Sequence, residues 1–86
     1  MFEFDESKSK SNKDKHGIDV ETAIQLWNDP NRLEIPARSM DEPRFIMIAK
    51  FEDEYWSTIF TRRNDNVRII SVRKSRENEK EIYNSF

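Results

Sequence analysis

The sequence contains no cysteine, one histidine and one glycine among its 86 residues. Without cysteine the chain has neither a disulfide framework nor a thiolate metal site, and one histidine cannot build a multi-histidine zinc cluster. No apolar run is long enough to span a membrane, and the first residues alternate acidic and basic side chains where a signal peptide would be apolar. We therefore expect a soluble, cytoplasmic protein without a disulfide, a thiolate metal site or a multi-histidine zinc cluster.

Charged and aromatic side chains, in contrast, are abundant. Charged residues make up 37% and aromatic residues 12% of the sequence, and disordered chains seldom carry so many aromatic residues. At this length roughly 60% of the unfolded surface can be buried on folding. We expect one small folded domain over residues 1–86.

The charge is unevenly distributed along the chain. The net charge is −2, so the molecule as a whole is not expected to attract nucleic acid. Between residues 61 and 76, however, six arginine and lysine residues accompany a single acidic residue, Asp65. The sequence therefore predicts a basic patch on an acidic protein.

Capping residues predict a first helix over 6–16. Asp5 precedes this segment and Gly17 ends it, and no proline or glycine interrupts it. Residues 7–16 are all polar, so periodicity gives no support, and a solvated, disordered arm is the alternative interpretation.

The pattern then changes from helical to extended. Asp19 caps a second helix, which Asp29 and Pro30 end and whose apolar positions share one side. These positions are Val20, Ala23, Ile24 and Trp27, with Trp27 as a core anchor. After a short extended piece at 33–35 and a polar loop over 37–43, three runs rich in β-branched and aromatic residues predict an antiparallel meander. The runs are 44–51, 55–62 and 67–73.

The last segment completes an α+β pattern. Phe2 and Phe4 begin the chain with an extended stretch, and Ser75 caps a final helix with Glu77 and Glu79 in its first turn. We predict an α+β fold with two N-terminal helices, a four-stranded, mainly antiparallel sheet and a C-terminal helix. One face of the sheet should be covered and the other free for a ligand or partner.

Several spaced motifs run along nearly the whole chain. They are Phe4-Asp5 with Lys8 and Asn12; Lys15-His16-Gly17; Ala23 with Trp27, Asp29 and Pro30; Arg44 with Ile48; Thr61 and Arg63; Arg68-Ile69-Ile70-Ser71 with Arg73; and Glu79 with Tyr83. In this order they resemble the BrnT family of bacterial ribonuclease toxins, which have a RelE-like fold and act in type II toxin–antitoxin pairs. The chain departs from the family pattern at Asp19-Val20, where the family usually has a small or polar residue and then Phe.

The resemblance implies cleavage of RNA without a metal or other cofactor, and a partner similar to the BrnA antitoxins, which are ribbon-helix-helix proteins. Operator DNA would be bound only through that antitoxin, and no membrane would be involved. Cleavage by the 2′-hydroxyl needs a base, cationic donors for the phosphate oxygens and an acid for the departing 5′-oxygen. The catalytic candidates are His16, Arg68, Arg73, Glu79 and Tyr83, and the RNA-binding candidates are Lys8, Lys15, Arg44 and Arg63.

Each candidate also has an ordinary structural explanation. His16 could interact with the last carbonyls of its helix, Tyr83 could pack in the core, and Glu79 could be solvated or paired with a cation. The arginines could form a solvated strand rim, and the lysines of the first helix could simply face water. In a regular strand Arg68 and Arg73 point to opposite faces, so one shared site requires a bulge or an Arg73 beyond the strand end.

Two further interpretations stay open. Trp56 and Phe60 could stack on an RNA base, or they could lie in the core or contact the antitoxin. The whole protein could be a non-enzymatic module that binds the antitoxin and acts in transcriptional control. DNA binding by this chain alone is disfavoured by its net charge of −2 and by the lack of a helix-turn-helix pattern.

Overall fold

The computed structural model describes residues 1–38 and 42–86. Within them the chain forms, in order, β1 (Phe2–Glu3), α1 (Glu6–His16), α2 (Val20–Ala23), a 3₁₀ helix (Ile24–Asn28), β2 (Leu33–Ala37), β3 (Arg44–Phe51), β4 (Glu54–Arg63), β5 (Asn66–Lys74) and α3 (Glu77–Asn84). Residues 39–41 of the loop predicted over 37–43 lie outside the described residues. No described helix is long and apolar enough to cross a membrane.

The sheet is five-stranded and mixed, with the order β1-β5-β4-β3-β2. The predicted antiparallel meander is confirmed for β3 to β5, and the extended piece before it forms β2, which pairs with β3 in the antiparallel direction. The prediction of four strands is wrong, because β1 adds to the edge of β5 in parallel, with Phe2 opposite Val67 and Glu3 opposite Arg68. A strand of two residues is too short to show the alternation from which strands are predicted. The α+β class is confirmed, and the RelE-like topology stays a prediction.

One face of the sheet, here called the helix face, packs against α1, α2 and the 3₁₀ helix. Its buried core consists of Ile18, Ala23, Leu26, Met47, Ala49, Trp56, Phe60 and Val72. The predicted second helix is only four residues of α-helix before it tightens into the 3₁₀ helix. With three residues per turn, Ala23 and Leu26 point together into the core, while Trp27 is partly buried, edge-on to Phe60.

Helix α1 is attached to the sheet by polar side chains. Ser9 and Asn12 are its buried residues, and Ser9 Oγ accepts a hydrogen bond from the backbone N–H of Val20. The Asn12 amide bonds both backbone groups of Val72 on the outer edge of β5, at 2.8 and 3.1 Å, and donates to the carbonyl of Ile18 at 2.7 Å. Asn12 thus substitutes for a neighbouring strand, and a helix without apolar residues is still ordered; the disordered-arm interpretation is wrong.

Replacing Asn12 by alanine is expected to lower the free energy of unfolding by about 2–4 kcal/mol, because three buried hydrogen bonds are lost together. Urea unfolding measured by circular dichroism would determine the change. Ser11→Ala is the matched control, since Ser11 is exposed on the same helix. Equal stabilities of the two variants would contradict the structural role of Asn12.

Candidate functional site: the arginine face

The opposite face of the sheet carries four arginines, Arg44, Arg63, Arg68 and Arg73, and is here called the arginine face. Thr61 is the cross-strand partner of both Arg44 and Arg68, so these three side chains form one row across β3, β4 and β5. Arg63 lies one row further along β4, and Arg73 lies nearer the other end, opposite Ser57 on β4. The arginines predicted from the sequence therefore share one surface.

A β-bulge in β5 makes this arrangement possible. Ile59 pairs with Ser71 whereas the next residue of β4, Phe60, pairs with Ile69, so Ile70 has no partner on β4. The extra residue reverses the alternation between Arg68 and Arg73 and turns both toward the arginine face. The bulge that a shared site required is present.

Carboxylates from distant parts of the sequence neutralise much of this positive charge. Arg68 Nη1 lies 3.6 Å from Glu3 Oε1 on β1, and Arg63 Nη2 lies 3.5 Å from Glu42 Oε1. These two contacts are long and partly exposed, and pairs of this kind contribute little to stability. Two of the arginines that make up the local excess of positive charge in the sequence are thus held in the fold by weak ion pairs, which another anion can replace.

The pair formed by Arg73 and Glu79 is different. Nη1 and Nη2 of Arg73 donate in parallel to Oε1 and Oε2 of Glu79, at 2.7 and 2.9 Å, and Glu79 is only 5% exposed. Glu79 Oε1 also accepts from the backbone N–H of Arg76 and from Ser57 Oγ. The Arg73 hydrogen bonds, followed by these others, lower the pKa of Glu79 to about 2, and the same pairing raises the pKa of Arg73.

Glu79 is therefore a fixed carboxylate at neutral pH, with its oxygens occupied by donors. Such a group orients its partners well but is a poor proton donor or acceptor. This environment agrees with the structural explanation considered for Glu79, in which the carboxylate is paired with a cation.

Ser75, expected to cap α3, instead places its Oγ 2.8 Å from Ser57 Oγ, and Arg76 occupies the N-cap position. No sequence signal marks Ser57, because a serine in a strand looks like any other small polar residue.

Tyr83 connects α3 to the segment after the 3₁₀ helix. Its hydroxyl donates to Asp29 Oδ2 at 2.7 Å, and its ring packs edge-on against Tyr55. Burial, followed by the hydrogen bond to Asp29, raises the pKa of Tyr83 to about 12. Asp29 also accepts from the backbone N–H of Lys50. The buried position matches the packing interpretation of Tyr83, and Asp29 is a partner that sequence reasoning did not identify.

The candidates on α1 lie beside the sheet. His16, Lys8 and Lys15 are exposed, and among the described residues His16 makes no side-chain hydrogen bond to the arginine face. His16 lies one helical turn beyond Asn12, which bonds Val72 on the edge of β5. Among these α1 positions the structure therefore buries Asn12, which was not a site candidate, and leaves His16, Lys8 and Lys15 exposed.

The rest of the arginine face is divided between α3 and an open apolar strip. Helix α3 covers the end near Tyr55 and Ser57, so the expectation of a wholly free second face is only partly correct. Ile35, Ile46 and Ile59 form a cross-strand row that is partly buried and lies between the arginines.

The two aromatic residues considered for base stacking lie on the other side of the sheet. Trp56 and Phe60 are on the helix face, 7% and 0% exposed. The stacking prediction is wrong and the core interpretation is confirmed. Side-chain alternation along β4 does not by itself show which face of the strand is buried. In the fold, the face that carries Trp56 and Phe60 packs against the helices.

A family model described as a ribonuclease toxin, BrnT, of type II toxin–antitoxin systems matches residues 4–79. The match includes the four arginines, α1 and the first residues of α3 up to Glu79. No curated protein matches the chain in a sequence search.

Proposed function

Because the chain belongs to the BrnT family of ribonuclease toxins of type II toxin–antitoxin systems, we propose that it is a metal-independent endoribonuclease. In this proposal the 2′-hydroxyl of a ribonucleotide attacks the adjacent phosphate and the 5′-oxygen of the next nucleotide departs. Membership of the family implies an RNA target and an antitoxin partner. The structural observation that supports the proposal most directly is the bulge that turns Arg68 and Arg73 to one face.

The arginines have separate tasks. Arg73, held by Glu79 in a forked ion pair, stabilises the negative charge that builds on the phosphate oxygens. Arg68, together with the RNA-binding Arg44 and Arg63, holds the backbone on either side. Phosphates displace Glu3 and Glu42 from Arg68 and Arg63, because these ion pairs are long and partly exposed.

Proton transfer is assigned to the remaining candidates. Histidine is the side chain most often used in general acid–base catalysis, so His16, exposed at the end of α1, is the first candidate for base or acid. Tyr83 is a donor held by Asp29, and a phenol with its pKa raised to about 12 stays protonated at neutral pH. Glu79 acts by positioning Arg73. Lys8 and Lys15, exposed along α1, extend the path of the RNA.

The partner in this proposal is a BrnA-like ribbon-helix-helix antitoxin. Ile35, Ile46 and Ile59 offer a partly exposed apolar strip among cationic side chains, and such patches mark interfaces. Operator DNA is bound only through the antitoxin, and the pair acts in the cytoplasm.

Purified protein is expected to cleave single-stranded RNA oligonucleotides in the presence of EDTA. Because the 2′-hydroxyl is the nucleophile, the products should end in a 2′,3′-cyclic phosphate and a 5′-hydroxyl, which mass spectrometry distinguishes. A requirement for added divalent metal, or products with 5′-phosphates, would contradict the mechanism.

The alternative function is a non-enzymatic module that binds the antitoxin in transcriptional autoregulation. One observation favours it: Arg63, Arg68 and Arg73 all carry acidic partners in the folded chain. Expression in bacteria separates the two functions, because only an active toxin should arrest growth, with rescue by the coexpressed antitoxin. Normal growth at a high level of folded protein would favour the binding module.

A further inference from the structure

We propose that Ser57 is a positioning residue for RNA cleavage: through Glu79, it fixes the orientation of the Arg73 guanidinium toward the scissile phosphate. This inference rests on the proposed ribonuclease function and adds to it a residue outside the predicted catalytic set. Ser57 is completely buried in β4, and its cross-strand partner on β5 is Arg73. It therefore acts on the RNA only through its neighbours.

The direction of the hydrogen bonds follows from the number of protons. Ser57 Oγ lies 2.9 Å from Glu79 Oε1 and 2.8 Å from Ser75 Oγ. An ionised carboxylate only accepts hydrogen bonds, so the single hydroxyl proton of Ser57 is donated to Glu79. Ser75 must then donate its own proton to Ser57. The result is a one-way chain from Ser75 through Ser57 to Glu79, which is buried at every position.

This chain fixes the plane of the Glu79 carboxylate. Oε1 receives three donors, Ser57 Oγ, the backbone N–H of Arg76 and Nη1 of Arg73, whereas Oε2 receives Nη2 of Arg73. Donors from β4 and from the start of α3 thus hold Oε1 from two directions. A carboxylate held in this way presents both oxygens to the guanidinium in one orientation.

The orientation leaves one edge of Arg73 for a ligand. Nη1 gives its second proton to the carbonyl of Lys74 at 3.3 Å, so three of the five guanidinium N–H donors are occupied within the described residues. The two that remain, on Nε and Nη2, lie side by side and match two oxygens of a phosphate. Rotation of the carboxylate would turn this edge away, and a small misplacement of a catalytic group is costly.

The test compares Ser57→Ala with Thr58→Val. Thr58 is the next residue of β4, equally buried, and its hydroxyl has no partner among the described residues. We expect Ser57→Ala to lower kcat for RNA cleavage roughly 10-fold with KM changed less than about 3-fold, because an interaction that matters in the transition state is weakened. Thr58→Val should leave both constants unchanged.

A double-variant cycle separates positioning from a general structural effect. If Ser57 acts through Arg73, then Ser57→Ala should lower kcat less than about 2-fold when Arg73 is already lysine. An equal loss in both backgrounds would overturn the proposal. If Ser57→Ala does not fold, Ser75→Ala can replace it in the same comparison. Ser75 lies at the outer end of the hydrogen-bond chain, so the expected loss of kcat is smaller.

Nitrogen-15 NMR of the arginine side chains gives a readout that does not depend on activity. In the unsubstituted protein the two Nη groups of Arg73 should give separate signals, because Glu79 restrains their rotation. Ser57→Ala should merge or broaden them, and unchanged signals would overturn the positioning role. If the unsubstituted protein cleaves no RNA, the ribonuclease proposal fails, while the NMR comparison still decides whether Ser57 restrains Arg73.

Discussion

Replacing Arg73 by lysine is expected to slow RNA cleavage roughly 10²- to 10³-fold while the fold is kept. Lysine preserves a positive charge beside Glu79, so the buried carboxylate is not left alone. An ammonium group, however, cannot bind both oxygens of Glu79 and two oxygens of a phosphate at once. The measurement is kcat/KM on a short single-stranded RNA, together with the circular dichroism spectrum of the variant.

Arg62→Lys is the matched control for this prediction. Arg62 lies on the helix face, over the rings of Phe45 and Phe60 and paired with Glu34, so its replacement should change the rate less than about 3-fold. Alanine at position 73 is a less specific test, because it leaves Glu79 buried without its cation and destabilises the protein. A rate unchanged in Arg73→Lys would exclude Arg73 from the reaction.

Replacing Glu79 by glutamine is expected to remove most of the pH-dependent stabilisation that the ionised Glu79 carboxylate gives to the folded protein. The pKa of Glu79 is about 2 in the folded protein, against an ordinary value of 4.5. Because the folded pKa is the lower one, the stabilisation is complete above about pH 4.5 and is lost as the pH falls toward 2. A difference of this size corresponds to about 3 kcal/mol in the free energy of unfolding.

Urea unfolding at several pH values between 2 and 6 would measure this contribution. The gap in stability between the unsubstituted protein and Glu79→Gln should be small near pH 2 and should widen to its full size by about pH 5. Glu81→Gln, at an exposed position of α3, should give a curve nearly parallel to that of the unsubstituted protein. A constant gap for Glu79→Gln would mean that Arg73 and Ser57 do not hold the carboxylate in its ionised form.

The sequence was sufficient where structure depends on neighbouring residues. Asp5 and Gly17 cap α1 as predicted, with Gly17 at a φ of 80° that glycine adopts without strain. The three runs of β-branched and aromatic residues became β3, β4 and β5, each within two residues of its expected limits. These features follow from caps, turns and alternation, which a short window of sequence contains.

The sequence was insufficient where residues far apart meet. Glu3 lies 65 positions before Arg68, so counting charges from 61 to 76 missed the acid that neutralises this arginine. The bulge at Ile70 depends on how β4 and β5 pair, and no local motif marks it. The residues of the arginine face were predicted, but their carboxylate partners and Ser57 follow only from the fold.

The contact between Asn12 and Val72 also sets the order of events during protein synthesis. The two residues are 60 positions apart, so α1 leaves the ribosome long before the strand edge that it covers. Until β5 is made, Asn12 has no Val72 to bind and β1 has no strand to pair with, and contacts so distant in sequence form slowly. The part of the chain that is translated first is thus expected to be among the last to reach its native place, and the arginine face is completed only at that stage, when Glu3 arrives beside Arg68.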